Sequence, residues 1–143
     1  MMAKGKILKP KQDKGKRIAL SASAESATDY SRETPTFCLR YVDPEYCVSL
    51  CEKDDKAAFA DRVRKLSQVT WNEIIQADRH GFGREKIATS SLKRPIPRHL
   101  TEDVTFIALR FSGKKPMVGY QSGRTFHAIW FDRDMSGGVY PHS

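Results

Sequence analysis

The chain has 143 residues, a formal net charge of +8 and a hydrophobic share of 39%. That length suits one domain of ordinary size. No apolar run approaches the ~20 residues of a membrane-spanning helix, the lysine-rich start lacks the apolar core of a secretory signal, and three cysteines make no disulfide framework, so the expectation is a soluble, cytoplasmic protein.

The charge is unevenly spread. Residues 1–17 carry a net +6, residues 18–83 a net −3, residues 84–124 a net +6 and residues 125–143 a net −1. Basicity thus sits in a tail and in one block of the domain, which points to a polyanionic partner, nucleic acid before others.

In chain order, residues 1–34 alternate Lys with Gly and Pro and then run "SASAESATDYS". That composition has too little apolar surface to offset its ordering entropy, so 1–34 is expected to be a disordered basic tail and 35–143 a single domain. In "TPTFCLRYVD", Phe37, Leu39 and Tyr41 alternate as in a half-buried strand, and "YCVSLC" is read as a second short strand. "EKDD" supplies acids suited to a helix start. Phe59, Val63, Leu66, Thr70 and Ile74 then form an amphipathic stripe. Thr70 and Glu73 match a capping box, which predicts two helices, or one kinked helix, broken near Gln68. Gly81 is the natural left-handed cap, with Arg79 and His80 in the last turn. Residues 84–103 read as a basic connector, since Pro95 and Pro97 exclude a helix interior.

Three strands follow, "VTFIALRFS", "PMVGYQ" and "RTFHAIWFD", joined by "GK" and "SG", two-residue loops suited to tight hairpins. "VYPHS" is a candidate last strand. The expected fold is α+β: N-terminal strand or strands, a helix pair, then an antiparallel β-meander with the helices on one face. Counting from the two loops puts Ile107, Leu109, Phe111, Val118, Tyr120, Thr125, His127, Ile129 and Phe131 on the helix-covered face. The other face collects Phe106, Ala108, Arg110, Met117, Gly119, Gln121, Arg124, Phe126, Ala128, Trp130 and Asp132.

That second face has two readings. Phe126 and Trp130 beside Arg110 and Arg124 would stack on bases and hold phosphates. Alternatively it is a second core layer with arginines reaching out from its rim. Lys93, Arg94 and Arg98 of the connector and Lys114 and Lys115 of the first hairpin extend the basic surface. His127 is expected in the core beside Val118 and Leu109. Tyr140 and His142 form a terminal pair suited to proton transfer, or else an ordinary chain end. No metal or cofactor is expected: Cys47 and Cys51 lack a second ligand pair, and "RHGFG" fits no phosphate-binding fingerprint.

The blocks "LSQVTWNEI", "RHGFGREKI", "ALRFSGKKPMVGY" and "FHAIWFDRD" resemble those of an uncharacterised prokaryotic protein family, over about residues 35–142, which implies no activity. More loosely, the order of a leading strand, a helix pair and a meander ending in Tyr or His is similar to RelE/ParE-type toxins. That resemblance implies a metal-independent endoribonuclease acting on mRNA, with an antitoxin protein as partner. Arg110, Arg124, Tyr140 and His142 would be its catalytic residues, and Lys114 and Lys115 would lie near the phosphate path. An extra N-terminal strand pair and the motif "MVGY" depart from the toxin pattern. Two further readings stay open: a non-catalytic nucleic-acid-binding or regulatory protein, and a toxin directed at a protein.

Overall fold

The computed structural model describes residues 29–77 and 81–142. Most of the expected tail, residues 1–28, and the expected helix end at Arg79 and His80 lie outside them. The chain divides between Tyr30 and Ser31, and the unit that begins at Ser31 carries every element described below.

A leading strand, β1 (Thr36–Cys38), is followed by two short 3-10 turns, Pro44–Tyr46 and Val48–Leu50, where a second strand was expected. Helix α1 spans Lys53–Leu66 and α2 spans Trp71–Gln76. Then come β2 (Glu85–Ile87), a 3-10 turn at Thr89–Ser91, and the meander β3 (Phe106–Ser112), β4 (Lys115–Ser122) and β5 (Thr125–Phe131). The five strands lie in the order β1-β5-β4-β3-β2. The pairs within β2–β5 are antiparallel, and β1 joins the edge parallel to β5. The fold is α+β, built around a meander as expected. Strand β2, inside the segment read as a connector, is additional, and residues 139–142 form no strand.

Local chemistry explains the helices. Asp54 and Asp55 stand in the first turn of α1, Arg64 and Lys65 in its last, each sign suited to its end of the helix dipole. The capping box of α2 is formed: Thr70 Oγ1 accepts from the Glu73 amide at 3.1 Å while Glu73 Oε1 accepts from the Thr70 amide at 2.9 Å. The next free donors of that helix are the amides of Trp71 and Asn72, which bond the carbonyls of Glu33 and Ser31 at 3.0 and 2.8 Å. These bonds draw residues before Pro35 into the domain, because a helix start otherwise leaves its first N–H groups unpaired.

Both meander turns hold two residues. Gly113 (φ 55°) and Gly123 (φ 63°) supply the left-handed backbone that such turns need. The second turn is Gly123-Arg124, one position later than expected, since Ser122 pairs with Thr125.

Between the turns the expected register fails twice. Arg110 pairs with Pro116 and Ser112 with Lys115, leaving Phe111 as an extra residue in β3. Val118 pairs with Trp130 and Gly119 with Ala128, leaving Ile129 extra in β5. Each bulge shifts alternation by one residue and so exchanges the faces beyond it. The helix side therefore buries Ile107, Leu109, Phe111, Met117, Phe126, Ala128 and Phe131 against Leu66, Trp71 and Ile74. Val118, Tyr120 and Ile129, expected there, lie on the opposite side with Phe106, Ala108 and Trp130.

That opposite side is also covered. Ile87, Val139 and Tyr140 are buried against it, and Leu92, Ile96, Leu100 and Val104 pack around them. The second-core-layer reading is the one the fold realises. The expected aromatic–arginine surface is corrected accordingly: Phe126 (0% exposed) and Trp130 (1%) are both buried, on opposite faces.

Leu66 is fully buried at the end of α1. Leu66→Ala is expected to lower unfolding free energy by about 2–5 kcal/mol, the cost of lost burial plus a residual cavity. A denaturant titration checks this, and an unchanged midpoint would contradict the packing.

Candidate functional site

Several cations expected at the site serve the scaffold instead. Arg124, in the β4–β5 turn, donates from Nε and Nη2 to Thr34 at 2.9 and 2.8 Å and pairs with Glu33 at 3.1 Å. It fastens the N-terminal segment at the end of the sheet away from Asp132. Lys115 reaches Asp55 Oδ2 at 2.7 Å while Ser112 Oγ donates to Oδ1 at 2.7 Å. These hydrogen bonds hold the Asp55 carboxyl below its usual range. They also tie α1 to the bulged end of β3. Arg94 bridges Asp43 (3.6 Å) and Glu45 (3.5 Å) and lies over the Tyr46 ring. Lys93, Arg98 and Lys114 are exposed.

The remaining three residues converge at the other end of β5. Arg110 pairs with Pro116, whose carbonyl accepts from the Asp132 amide at 3.0 Å. Arg110 and Asp132 thus flank one residue across three adjacent chain segments, their backbones about 10 Å apart across the sheet. Gly83 (φ 71°) makes room for Arg110, since a Cβ there would overlap its side chain. Asp132 is 1% exposed, and its Oδ2 meets His142 Nε2 at 2.6 Å. Its Oδ1 is buried with no hydrogen-bond partner among the described residues. A buried carboxylate oxygen left open is costly and marks a place where a scaffold preference has been overridden.

Tyr140 completes the group, its ring centroid 4.5 Å from that of His142. It is 6% exposed. Burial, with Glu85 and Asp132 nearby, pushes its phenol up to about 12, against an opposing pull from Arg110. A phenol so placed is a poor proton donor near neutrality and acts as a wall for the imidazole. With Nε2 committed to Asp132, the nitrogen of His142 left for exchange with a substrate is Nδ1.

A second cluster was not foreseen. The His99 ring stacks on Tyr41 at 3.8 Å, and His99 Nε2 contacts Tyr120 Oη at 2.8 Å. Tyr120 in turn stacks on His127 at 4.8 Å. The expected place of His127 beside Val118 and Leu109 is corrected to one opposite Tyr120, because the β4–β5 turn lies at Gly123-Arg124, one position later than counted. Its Nδ1 is buried without a partner among the described residues. Burial and then His99 hold its imidazole below the ordinary value of 6.5.

Other groups offer less chemistry. The Cys51 thiol is buried, and burial raises its pKa, which opposes a nucleophilic role. The recess lined by Glu45, Tyr46, Arg133, Asp134 and Ser136 is crossed by a bond from Arg133 Nη1 to the Glu45 carbonyl at 3.1 Å. Among the described residues, no group of three or more His, Cys, Asp or Glu is placed to hold a metal ion. No helix among them is long and apolar enough to cross a membrane. No family model, no curated protein and no solved structure matches this chain.

The lowered imidazole value gives a prediction with a definite sign. As pH falls, the unfolded chain takes up the His127 proton before the folded chain does, so acid favours unfolding. This contribution to stability is intact above about pH 6.5 and is lost as pH falls toward the lower folded value. Thermal melts from pH 8 to pH 5 should therefore fall more steeply for the wild type than for His127→Gln. Parallel curves would contradict a buried neutral imidazole.

Proposed function

We propose that this domain is a metal-independent endoribonuclease of the toxin type suggested by its order of elements, with His142 as the group that moves the proton. The observation that carries this reading is Asp132: a buried carboxylate with one oxygen 2.6 Å from His142 Nε2 and the other without a partner among the described residues. Such a carboxylate fixes the tautomer and orientation of an imidazole.

The chemistry is internal transesterification. The ribose 2′-hydroxyl gives its proton to His142 Nδ1 while its oxygen attacks the adjacent phosphorus. The phosphorus–5′-oxygen bond breaks, leaving a 2′,3′-cyclic phosphate; the departing oxygen takes a proton from water, and the hydroxide so formed recovers the proton from His142. Arg110, across Pro116 from Asp132, would neutralise charge gathering on the non-bridging oxygens. Lys114, exposed in the neighbouring turn, would guide the backbone. Tyr140 positions the imidazole. On this reading a neutralising antitoxin protein is the natural partner.

Nucleic-acid binding without cleavage is the second reading. It is favoured by the exposure of Lys93, Arg98 and Lys114, which phosphate contact alone would use.

Incubating the full chain with an unstructured RNA oligonucleotide in the presence of chelator separates the two. The first reading expects products with 2′,3′-cyclic phosphate and 5′-hydroxyl ends. His142→Ala should lower the rate about 10²–10⁴-fold, the span of one acid–base group. Asp132→Asn should also slow cleavage while binding persists. Intact RNA bound in a salt-sensitive way would support the second reading, and undiminished cleavage by His142→Ala would refute the assigned role.

A further inference from the structure

We infer that the Arg40–Tyr41–His99 stack is a docking platform for an unpaired base of single-stranded nucleic acid. The inference rests on the reading that nucleic acid is the partner, but not on cleavage. It replaces Phe126 and Trp130, whose burial removes them from any stacking role.

Two groups lie against the Tyr41 ring. The Arg40 guanidinium carbon lies 5.1 Å from the Tyr41 ring centroid, and the His99 ring lies on Tyr41 at 3.8 Å with 24° between planes. His99 is nevertheless exposed. With one face on Tyr41 and its Nε2 edge 2.8 Å from Tyr120 Oη, its exposure belongs to the opposite face and the far edge. An exposed side chain usually samples several rotamers. Here a stack and a hydrogen bond on different edges hold the ring in one plane. A fixed planar ring open on one side spares an incoming base the cost of ordering its receptor.

Beneath the platform, Tyr120 stacks on His127 with only 12° between planes. Both start from the sheet, so the platform rings, which themselves come from turns, rest on strand residues. The surroundings suit a polyanion. Arg40 and Arg98, each next in sequence to a platform ring, are exposed, and residues 88–99 contain Lys93, Arg94 and Arg98 with no acidic residue. Aromatic faces interleaved with cations are what sequence-tolerant single-strand binding uses.

The test measures binding of short fluorescent oligomers to the full chain carrying His142→Ala, so that cleavage cannot interfere. The probes are oligoadenylate RNA, the corresponding DNA and an abasic oligomer of the same length. Tyr41→Ala and His99→Ala should each weaken both base-bearing probes about 5- to 150-fold, the range for one lost stacked base. Abasic binding should barely change. His99→Phe, which keeps a ring but loses the bond to Tyr120, should retain most of the affinity and guards against loss through misfolding. Equal weakening of abasic and base-bearing probes, or no weakening of either, would overturn the platform. Base-dependent binding by a wild-type chain that leaves RNA intact would end the ribonuclease reading while upholding this one.

Discussion

Two residues without pairing partners, Phe111 in β3 and Ile129 in β5, decide how the rest of this molecule is arranged. A strand has a side-chain period of two, so one inserted residue sends everything after it to the other face. The first insertion leaves Phe111, on the helix side by ordinary alternation, followed by Ser112 turned to Asp55 on α1. It also places Val118 and Tyr120 under the connector. The second lets Ile129 and Trp130 both enter that layer while Phe131 returns to the helices. Asp132, the next residue, then falls where His142 can meet it. Gly119 sits opposite the second bulge because the strands approach so closely that a Cβ would collide with the His127 carbonyl.

The sheet consequently has apolar layers on both sides, which explains a C-terminus rich in aromatic and charged residues. Val139 and Tyr140 are part of the second layer, at 0% and 6% exposure, and the Lys93 amide bonds the Val139 carbonyl at 2.8 Å. The chain end is held by burial on one side and by Asp132 on the other. A terminus fixed in this way can keep an imidazole in one orientation, which a frayed end could not.

How legible this was depended on the range of the determining interaction. The capping box of Thr70 and Glu73, the acidic start of α1 and the glycine of each hairpin are signals over a few residues; the helices and the first turn followed from them, while the second turn lies one position later than counted. Ile107, Leu109 and Phe111 were placed correctly because no bulge precedes them. The faces of β4 were lost because Phe111 and Ser112 bear no glycine or other mark of an extra residue; that bulge is fixed by pairing across the sheet and by Lys115 and Ser112 meeting Asp55. The covering role of the connector had a trace in Leu92, Ile96, Leu100 and Val104, spaced four apart, but Pro95 and Pro97 exclude the helix that this spacing would otherwise suggest. At the site, Tyr140 and His142 were legible as a terminal pair. Asp132 as their partner was not, since its direction depends on Ile129. Tyr41, His99 and Tyr120 come from three separate segments, and no local pattern joins them. The roles of Arg124 and Lys115 were obscured for the same reason: a cation reads alike in sequence whether it meets a phosphate or a distant carboxylate.

The central claim is that a buried carboxylate holds His142 in one tautomer, with Nδ1 open to a substrate. Long-range proton–nitrogen correlation spectra of the histidine side chains test it directly. In its neutral form, His142 should show the proton on Nε2 and an unprotonated Nδ1, and Asp132→Asn should collapse that preference toward an average of tautomers. A proton on Nδ1 in the wild type, or a spectrum unchanged by Asp132→Asn, would contradict the account.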